Sequence, residues 1–345
     1  MHSKKILTAT LILLLAILAP VIFIGWTKKA PTPLTADIRQ AVAKSLPLLQ
    51  ISGHKFVLRS QRHCASCHNN LLTGMLEEKM MQKGMPATDS FRAERVMSTN
   101  LGLRFATNVN DVDNFIAAKF IIPYALIGLN ADHVPANLYT DIGVDYMMDQ
   151  QRPDGSFHAE AGRPPHGTGE AHLAALCIRA IQLYAAPAKK ARVNQEVALT
   201  KQFLLNYSAN TQQELVFQLL GLQWCGATTA EKEKVATRLR ATQNMDGSWS
   251  QLSSMTGDAY ATGEALYALS ESGTTRPEEE WIQKSIAWLL KNQDPSGAWI
   301  VETRAYPIQP FFNSDFPPYD ENQFISAAAT NWACLALLEA LPDAK

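Results

Sequence analysis

The segment Cys64-Ala-Ser-Cys67-His68 holds the residue types with the most specific chemistry in this sequence. Two thiols three positions apart can add to the two vinyl groups of a haem, and the histidine that follows can bind the iron. The same residues could instead form a redox disulfide, or a zinc site that includes His63 or His68. The redox motif normally has a βαβ setting, and zinc needs a fourth ligand that the sequence does not identify. The spacing therefore favours haem c, attached through Cys64 and Cys67, with His68 as the proximal iron ligand.

The sequence leaves the sixth ligand of such an iron open. Four methionines follow closely at helical spacing, which is more typical of core positions than of ligands; they are Met75, Met80, Met81 and Met85. His54 and His166 are the other candidates. The remaining cysteines lie in apolar helical contexts and are predicted to be inert buried thiols; they are Cys177, Cys225 and Cys334.

A second set of polar residues stands at the predicted starts of helices that would face a common cavity. The catalytic candidates among them are Asp111, Asp113, His166, Asp258 and Tyr260. Helix capping is the simpler role for Asp113 and Asp258. The catalytic residues are therefore unknown from the sequence, and whether the protein is an enzyme stays open.

A repeated motif must position these residues. The pattern Gln-x3-Gly-x-(Trp/Phe) occurs three times, with glutamines 92 and 50 residues apart, so a degenerate copy is expected in the longer gap. The glycine permits a tight turn, the aromatic ring anchors the loop, and the glutamine can satisfy helix termini. The copies are Gln151, Gly155 and Phe157; Gln243, Gly247 and Trp249; and Gln293, Gly297 and Trp299.

Around these motifs the sequence predicts six helical hairpins. The second helix of each hairpin is the more apolar, which indicates two concentric layers. The predicted fold class is therefore all-α, an (α/α)6 toroid, with an open solenoid as the alternative. Pro47 is expected to bend or shorten the first helix. The predicted pairs are 41–50 with 70–83, 91–107 with 112–129, 138–151 with 168–185, 195–207 with 211–223, 231–243 with 258–272, and 278–293 with 323–341.

The N-terminus differs from the rest of the 345-residue chain. Two lysines precede an apolar run at residues 6–26 and two follow it. The run is long enough to span a bilayer and no clean cleavage site follows, which favours a signal anchor over a signal peptide. We therefore expect an anchor and linker at 1–30 and a single toroid domain at 31–345, held on the periplasmic side of the cytoplasmic membrane. The net charge of −1 and the lack of a basic stripe speak against nucleic-acid binding.

Residues 300–322 form a predicted loop that is rich in aromatic residues and proline. Long ordered loops in compact domains usually serve function or cover a site. If the ring closes, the sixth hairpin lies beside the first, and this loop would pack near Cys64 and His68. Phe311 and Phe312 would then shield a haem face or the cavity mouth.

The three motifs, together with Asp258-Ala-Tyr-Ala-Thr-Gly-Glu264, resemble the terpenoid-cyclase and protein-prenyltransferase superfamily. With Cys64-Ala-Ser-Cys67-His68 and the segment at 303–312, the chain is more closely similar to exported bacterial squalene-cyclase-like repeat proteins. The resemblance covers about residues 37–342 and implies the toroid fold. The chain departs from the cyclase acid motif Asp-x-Asp-Asp at Asp111-Val-Asp113-Asn, and it lacks the Asp-x-Cys zinc pair of the prenyltransferases.

These observations lead to one functional hypothesis with two alternatives. The first is a membrane-anchored toroid that carries haem c, binds a hydrophobic isoprenoid-like ligand and exchanges electrons with a redox partner protein. The second is a terpenoid-cyclase-like isomerase that acts on a polyprenyl substrate, with Asp111 or Asp113 as the acid. The third is a binding toroid without catalytic activity. Fold alone does not choose among them.

Overall fold

The computed structural model of the chain describes residues 35–60, 63–106, 118–159, 163–305 and 314–344. Residues 33–345 form one compact unit. Within the described ranges the regular structure consists of twelve α-helices, a π-helical turn at Cys67–Leu71 and a 3-10 turn at Pro187–Lys189, with no β-strand. The predicted all-α architecture is confirmed.

Outer and inner helices alternate along the chain, and each consecutive pair forms a hairpin. The outer helices are α1 (Thr35–Arg59), α3 (Arg92–Ala106), α5 (Leu138–Gln150), α7 (Lys190–Asn206), α9 (Thr229–Ala241) and α11 (Glu280–Lys291). The inner helices are α2 (Leu72–Gln82), α4 (Ala118–Ala131), α6 (Glu170–Tyr184), α8 (Gln212–Trp224), α10 (Ala259–Glu271) and α12 (Gln323–Glu339).

The two layers differ in burial as their compositions predict. Helix α12 is buried along almost its whole length, whereas α9 buries only Val235, Ala236 and Leu239. An inner helix has neighbours on every side, so it must be apolar all round, while an outer helix needs one apolar stripe. This division places the core between the layers and along the axis.

The first hairpin departs from prediction at both of its helices. Helix α1 continues for 25 residues through Pro47, which was expected to bend or shorten it. Proline removes one backbone hydrogen bond, and the burial of Val42, Leu46 and Leu49 on the same helix offsets that loss. The second helix begins with the π-helical turn, whose cap Ser66 accepts a hydrogen bond from the Asn69 backbone N–H at 3.0 Å.

The inner helices form a closed ring. Each inner helix packs against the next, and α12 packs against both α1 and α2. At this seam Thr73 donates a hydrogen bond to Asn331 at 3.2 Å, and Lys79 pairs with Glu339 at 2.6 Å. The closed toroid is confirmed, and the open solenoid is not the fold.

The three exact motif copies make the same contact. The side-chain N–H of each glutamine donates to a hydroxyl on the next outer helix: Gln151 to Thr200 at 2.8 Å, Gln243 to Ser285 at 2.8 Å, and Gln293 to Ser45 at 3.0 Å. The third contact joins the end of the chain to its beginning. One motif therefore serves both the internal seams and the closure of the ring.

None of the helices within the described residues combines the length and the apolar character needed to cross a membrane. The predicted anchor at 6–26 lies outside the described residues, as do Asp111, Asp113, Phe311 and Phe312.

Candidate functional site

Each inner helix directs one stripe of side chains toward the axis of the ring. On α10 the stripe is Tyr260, Glu264, Tyr267 and Glu271, at the spacing i, i+4, i+7, i+11 of one helical face. Polar groups occupy the N-terminal part of the stripes. Large aromatic rings occupy the C-terminal part, where they line a cavity. The same rule of helical periodicity thus builds two different environments along one axis.

The central polar cluster comprises Tyr124, His166, His172, Gln213, Tyr260 and Glu264. His166 Nδ1 lies 3.3 Å from the hydroxyl of Tyr260, and the ring of Tyr124 stacks on the His166 ring with 5.0 Å between centroids. The Tyr124 hydroxyl lies 3.0 Å from His172 Nε2. Four hairpins therefore supply side chains to one buried group.

Both ring nitrogens of His172 have partners. Nε2 faces the Tyr124 hydroxyl, while Nδ1 lies 3.2 Å from the Thr168 carbonyl and 3.1 Å from Gln213 Nε2. The ring also stacks on Phe217, with centroids 3.7 Å apart. Burial lowers the pKa of His172 well below its usual value. His172 is thus a neutral, fully engaged core histidine.

His166 has one engaged and one unengaged nitrogen. Its Nε2 is buried and has no hydrogen-bond partner among the described residues. Burial lowers the pKa of His166 to about 4. A buried imidazole nitrogen without a protein partner is costly.

Glu264 is buried in the same cluster. Neither of its carboxyl oxygens has a hydrogen-bond partner among the described residues. Burial is the main cause that raises the pKa of Glu264 well above its usual value, and the nearby Asp258 raises it further. Burial therefore favours the neutral carboxylic acid, the form that can donate a proton.

The segment from Cys64 to His68 lies at the N-terminal rim, between α1 and α2. The two thiols are not joined in a disulfide, and Cys67 Sγ lies 3.7 Å from His68 Nδ1. The His68 ring contacts the rings of Phe56 at 5.6 Å and Phe324 at 5.7 Å between centroids. Although Cys67 is partly accessible, dense packing raises the pKa of its thiol to about 12.

These residues fit the attachment of a haem by their donor set. Among the described residues no group of three or more His, Cys, Asp or Glu side chains is placed to hold a metal ion. A haem needs no such group, because the porphyrin supplies four of the iron ligands. Two thiols outside a disulfide, followed by an imidazole enclosed by aromatic rings, meet the requirement for attachment and for one axial ligand.

A cavity of about 530 Å³ lies at the opposite, C-terminal part of the inner helices. Its wall includes the aromatic residues Tyr124, Phe217, Tyr267 and Trp332, and both acidic and basic side chains line it, among them Lys79, Arg179 and Glu271. The indole N–H of Trp332 is buried and has no acceptor among the described residues. The volume suits a small hydrophobic ligand with a polar end.

The remaining predicted residues have structural roles. Asp258 caps α10 by accepting the Ala261 backbone N–H at 2.9 Å, and burial raises its pKa to about 6. His54 Nδ1 lies 2.7 Å from Glu94. Met80 and Met85 are buried in the core, Met81 is exposed, and Met75 lines the cavity. Cys177, Cys225 and Cys334 are buried, as the sequence predicts.

Sequence reasoning brought His166 and Tyr260 into one list, and the structure places them in contact. It did not single out Tyr124, Gln213 or Trp332. Helical spacing in the sequence groups each of these residues with others on one face of its inner helix. Because an inner helix is buried on all sides, only the closed ring shows which face points to the axis.

Comparison with known proteins supports this architecture. Residues 188–344 match the family model of the squalene-hopene cyclase C-terminal domain. Over 111 residues, or 32% of the chain, the sequence is 29% identical to lanosterol synthase erg7A of Aspergillus fumigatus; the match spans 14% of that protein's length.

Among solved structures, a protein from Actinoplanes superposes with a TM-score of 0.58 at 13% identity, covering 88% of this chain and 99% of that one. The type II terpene cyclase MstE from Scytonema superposes with a TM-score of 0.57 at 12% identity, and the match covers 90% of this chain and 99% of MstE. A variant of MstE in complex with its substrate geranylgeranyl dihydroxybenzoate superposes at 0.54 and 13% identity, covering 88% and 99%. The chain is thus an α/α toroid whose residues 188–344 resemble the squalene-hopene cyclase C-terminal domain.

Proposed function

We propose that this chain is a c-type haem protein whose toroid also binds a hydrophobic, isoprenoid-like ligand, and that its role is electron transfer. The observation that carries the haem proposal is the arrangement at the N-terminal rim. Cys64 and Cys67 lead directly to His68, whose imidazole contacts the rings of Phe56 and Phe324.

The chain's own residues have distinct tasks in this proposal. Cys64 and Cys67 would hold the haem through thioether bonds formed by addition of each S–H across a vinyl group, which needs no oxidant. His68 would bind the iron, and Phe56 and Phe324 would shield its ring. When bound, the haem supplies one-electron chemistry, the electron coming from a donor and leaving to a redox partner protein.

The proposed attachment accords with an extracytoplasmic location. Thioether attachment of haem takes place outside the cytoplasm, and the apolar run at 6–26 provides the export segment. We therefore propose that residues 6–26 anchor the toroid on the periplasmic side of the cytoplasmic membrane.

The test is expression of the full chain in a host that matures c-type cytochromes. We expect a haem that stays with the denatured polypeptide, raises its mass by one haem and gives a Soret band. Cys64→Ser and Cys67→Ser should abolish double attachment, whereas Cys225→Ser, a change at a buried thiol away from the rim, should retain it. An exported protein with both thiols unmodified would refute the proposal.

The ligand proposal rests on the cavity. Its aromatic wall and volume of about 530 Å³ suit a prenyl chain, and the Trp332 indole N–H offers a hydrogen bond to an oxygen on the ligand's polar end. The substrate complex of MstE shows that a similar toroid accommodates a geranylgeranyl group, and this supports the same class of ligand here.

Binding of geranylgeraniol can be followed by quenching of tryptophan fluorescence, because Trp224 and Trp332 line the cavity. Ala131→Trp would place a large ring at the cavity wall and should weaken binding at least tenfold. Leu138→Trp, at a side chain that is 68% exposed on an outer helix, is the control and should bind normally. Equal affinity of the native protein and Ala131→Trp would exclude this cavity as the binding site.

A second candidate function is acid-catalysed isomerisation of a polyprenyl substrate, and Glu264 is the observation that favours it. Its carboxyl lies between Tyr260 and Tyr267 on the axial stripe, and Tyr267 lines the cavity. The carboxyl proton would move to an alkene carbon, the resulting cation would lose a proton from another carbon, and the product would be an isomer. Aromatic rings such as Tyr124 would stabilise the cation.

Incubation with squalene and geranylgeraniol, followed by mass spectrometry, tests this candidate. Isomeric products that disappear in Glu264→Gln would support it. Products that persist in that variant would exclude Glu264 as the acid, and binding without any product would leave a binding toroid.

A further inference from the structure

The cavity between the inner helices changes from apolar to charged toward the helix ends. On three inner helices an apolar or aromatic lining residue is followed, one turn closer to the C-terminus, by a charged one. These pairs are Met75 and Lys79, Leu176 and Arg179, and Tyr267 and Glu271. The charged residues therefore share the end of the cavity where the helices stop, which we call the mouth, and the apolar residues lie deeper.

Several charged residues of the mouth already have partners. Lys79 pairs with Glu339 at 2.6 Å. Each carboxylate oxygen of Glu78 is also engaged: one accepts a hydrogen bond from the Gln82 side-chain amide at 2.8 Å, and the other lies 2.9 Å from His133 Nε2. These groups satisfy one another, so a ligand would have to displace a partner to bind them.

Arg179 differs from these residues because its hydrogen-bond donors are unused. Its guanidinium lies over the Trp224 ring, 5.8 Å from the centroid, and this contact orients it. None of its N–H groups has an acceptor among the described residues, and it forms no ion pair with them. A guanidinium stays charged, and its N–H groups match the two oxygens of a carboxylate. Arg179 is therefore able to bind an anion at the mouth.

The other charges at the mouth limit how much negative charge it can accept. Glu271 lines the same cavity, and burial is the main cause that raises its pKa above the usual value. The carboxylates of Glu78 and Glu339 and the C-terminal ends of the inner helices add negative potential. One negative charge on a ligand would be balanced by Arg179, whereas several would be repelled. The mouth therefore favours a single anion over a polyanion.

We infer that the hydrophobic ligand ends in one carboxylate, which Arg179 binds at the mouth while the apolar chain lies deeper in the cavity. This inference rests on the proposed isoprenoid-like ligand and names its class, a prenyl carboxylic acid and not a prenyl alcohol or diphosphate. It does not depend on the proposed haem. Arg179 is the residue that determines specificity for the head group.

Four compounds with the same prenyl chain test the head group. The purified full chain is titrated at neutral pH, by isothermal titration calorimetry, with geranylgeranoic acid, its methyl ester, geranylgeraniol and geranylgeranyl diphosphate. The acid should bind at least about tenfold more tightly than the alcohol, because a charge-assisted pair replaces a single neutral hydrogen bond. The ester, which lacks the charge, should bind like the alcohol, and the diphosphate should bind less tightly than the acid.

Variants then test whether Arg179 is the group responsible. Arg179→Gln should lower the affinity for the acid by about tenfold or more, and the affinity for the alcohol by much less. Arg276→Gln, at an exposed arginine before α11, is the control and should keep the native preference. Arg179→Lys covers the case in which Arg179→Gln does not fold. It keeps a charge but not the planar pair of donors, so the preference should fall to an intermediate value.

The outcomes separate this inference from the ligand proposal. Equal affinities for the acid and the alcohol, tightest binding of the diphosphate, or a preference that neither Arg179 variant alters would overturn the inference and leave the prenyl ligand established. Binding of none of the four compounds would remove the ligand proposal and this inference together.

Discussion

At the scale of single residues, buried polar side chains near the axis of the toroid differ in how well they are hydrogen-bonded. His172 and Glu264 both lie on axial stripes and are both fully buried. Hydrogen bonds satisfy His172, whereas neither Glu264 oxygen has a partner among the described residues. A buried polar group without a partner lowers stability, which makes Glu264 a candidate for a functional role.

The buried Glu264 carboxyl should make stability depend on pH. In the unfolded chain a glutamate ionises near pH 4.3, while burial keeps the folded carboxyl protonated to higher pH. As pH rises above about 4.3, ionisation stabilises the unfolded state by about 1.4 kcal/mol per pH unit until the folded pKa is reached. The native protein therefore loses stability over this window, and Glu264→Gln should lose less, because other buried carboxyls such as Asp258 still ionise.

Urea unfolding of both proteins at pH 5 and pH 8 measures the effect. The free energy of unfolding of Glu264→Gln minus that of the native protein should be larger at pH 8 than at pH 5 by at least about 1 kcal/mol. Glu233→Gln, at an exposed position, should show no such difference. Parallel pH profiles for Glu264→Gln and the native protein would show that the carboxyl is not buried in neutral form.

At the scale of elements, the motif loops are fixed by close approach to the next outer helix. The backbone of Gly297 has φ +101°, and a Cβ at this position would lie 2.8 Å from the Lys44 carbonyl oxygen. Gly273 also has positive φ, at +67°, but a Cβ there would meet nothing within 4 Å. Comparing the two glycines therefore distinguishes the cost of a positive φ from the cost of a steric clash.

Alanine substitution at these two glycines should give different losses of stability. Gly273→Ala should cost about 1–2 kcal/mol from the left-handed backbone alone. Gly297→Ala should cost a further 1–3 kcal/mol or so, because α1 must move away from the loop. Thermal unfolding of the two variants gives the comparison; equal losses would mean that the loop does not press against α1 in solution.

At the scale of the whole molecule, ring closure repeats an internal contact. Gln243 donates to Ser285 at 2.8 Å across an internal seam, and Gln293 donates to Ser45 at 3.0 Å across the closing seam. In both cases the same amide also reaches the carbonyl four residues before the serine. The closing seam therefore uses the same interactions as a seam within the chain.

Double-mutant cycles should give similar coupling at the two seams. Alanine at Gln293 and Ser45, singly and together, should yield about 0.5–1.5 kcal/mol, and so should alanine at Gln243 and Ser285. The internal pair is the control for the closing pair. Coupling at Gln243 and Ser285 with none at Gln293 and Ser45 would indicate that the ring opens at its closing seam in solution.

The sequence by itself determined the hairpins and their order. Helical periodicity, the apolar character of the second helices and three exact motifs predicted the six pairs, although the first helix is far longer than its predicted range of 41–50. These signals are local or repeat at a fixed period, so one chain reveals them without coordinates. The same local reasoning overestimated how far Pro47 would shorten α1, because the burial that stabilises this helix is a tertiary effect.

Only the tertiary structure decided which polar side chains meet. His68 and His166 are 98 positions apart in the sequence, and no spacing rule relates them; closure of the ring and the turn before α6 bring their rings to 6.3 Å. Likewise, Asp258 and Glu264 lie on the same helix, yet one caps its end and the other faces the axis. An inner helix is buried on almost all sides, so its sequence does not mark the axial face, and packing against its neighbours selects it.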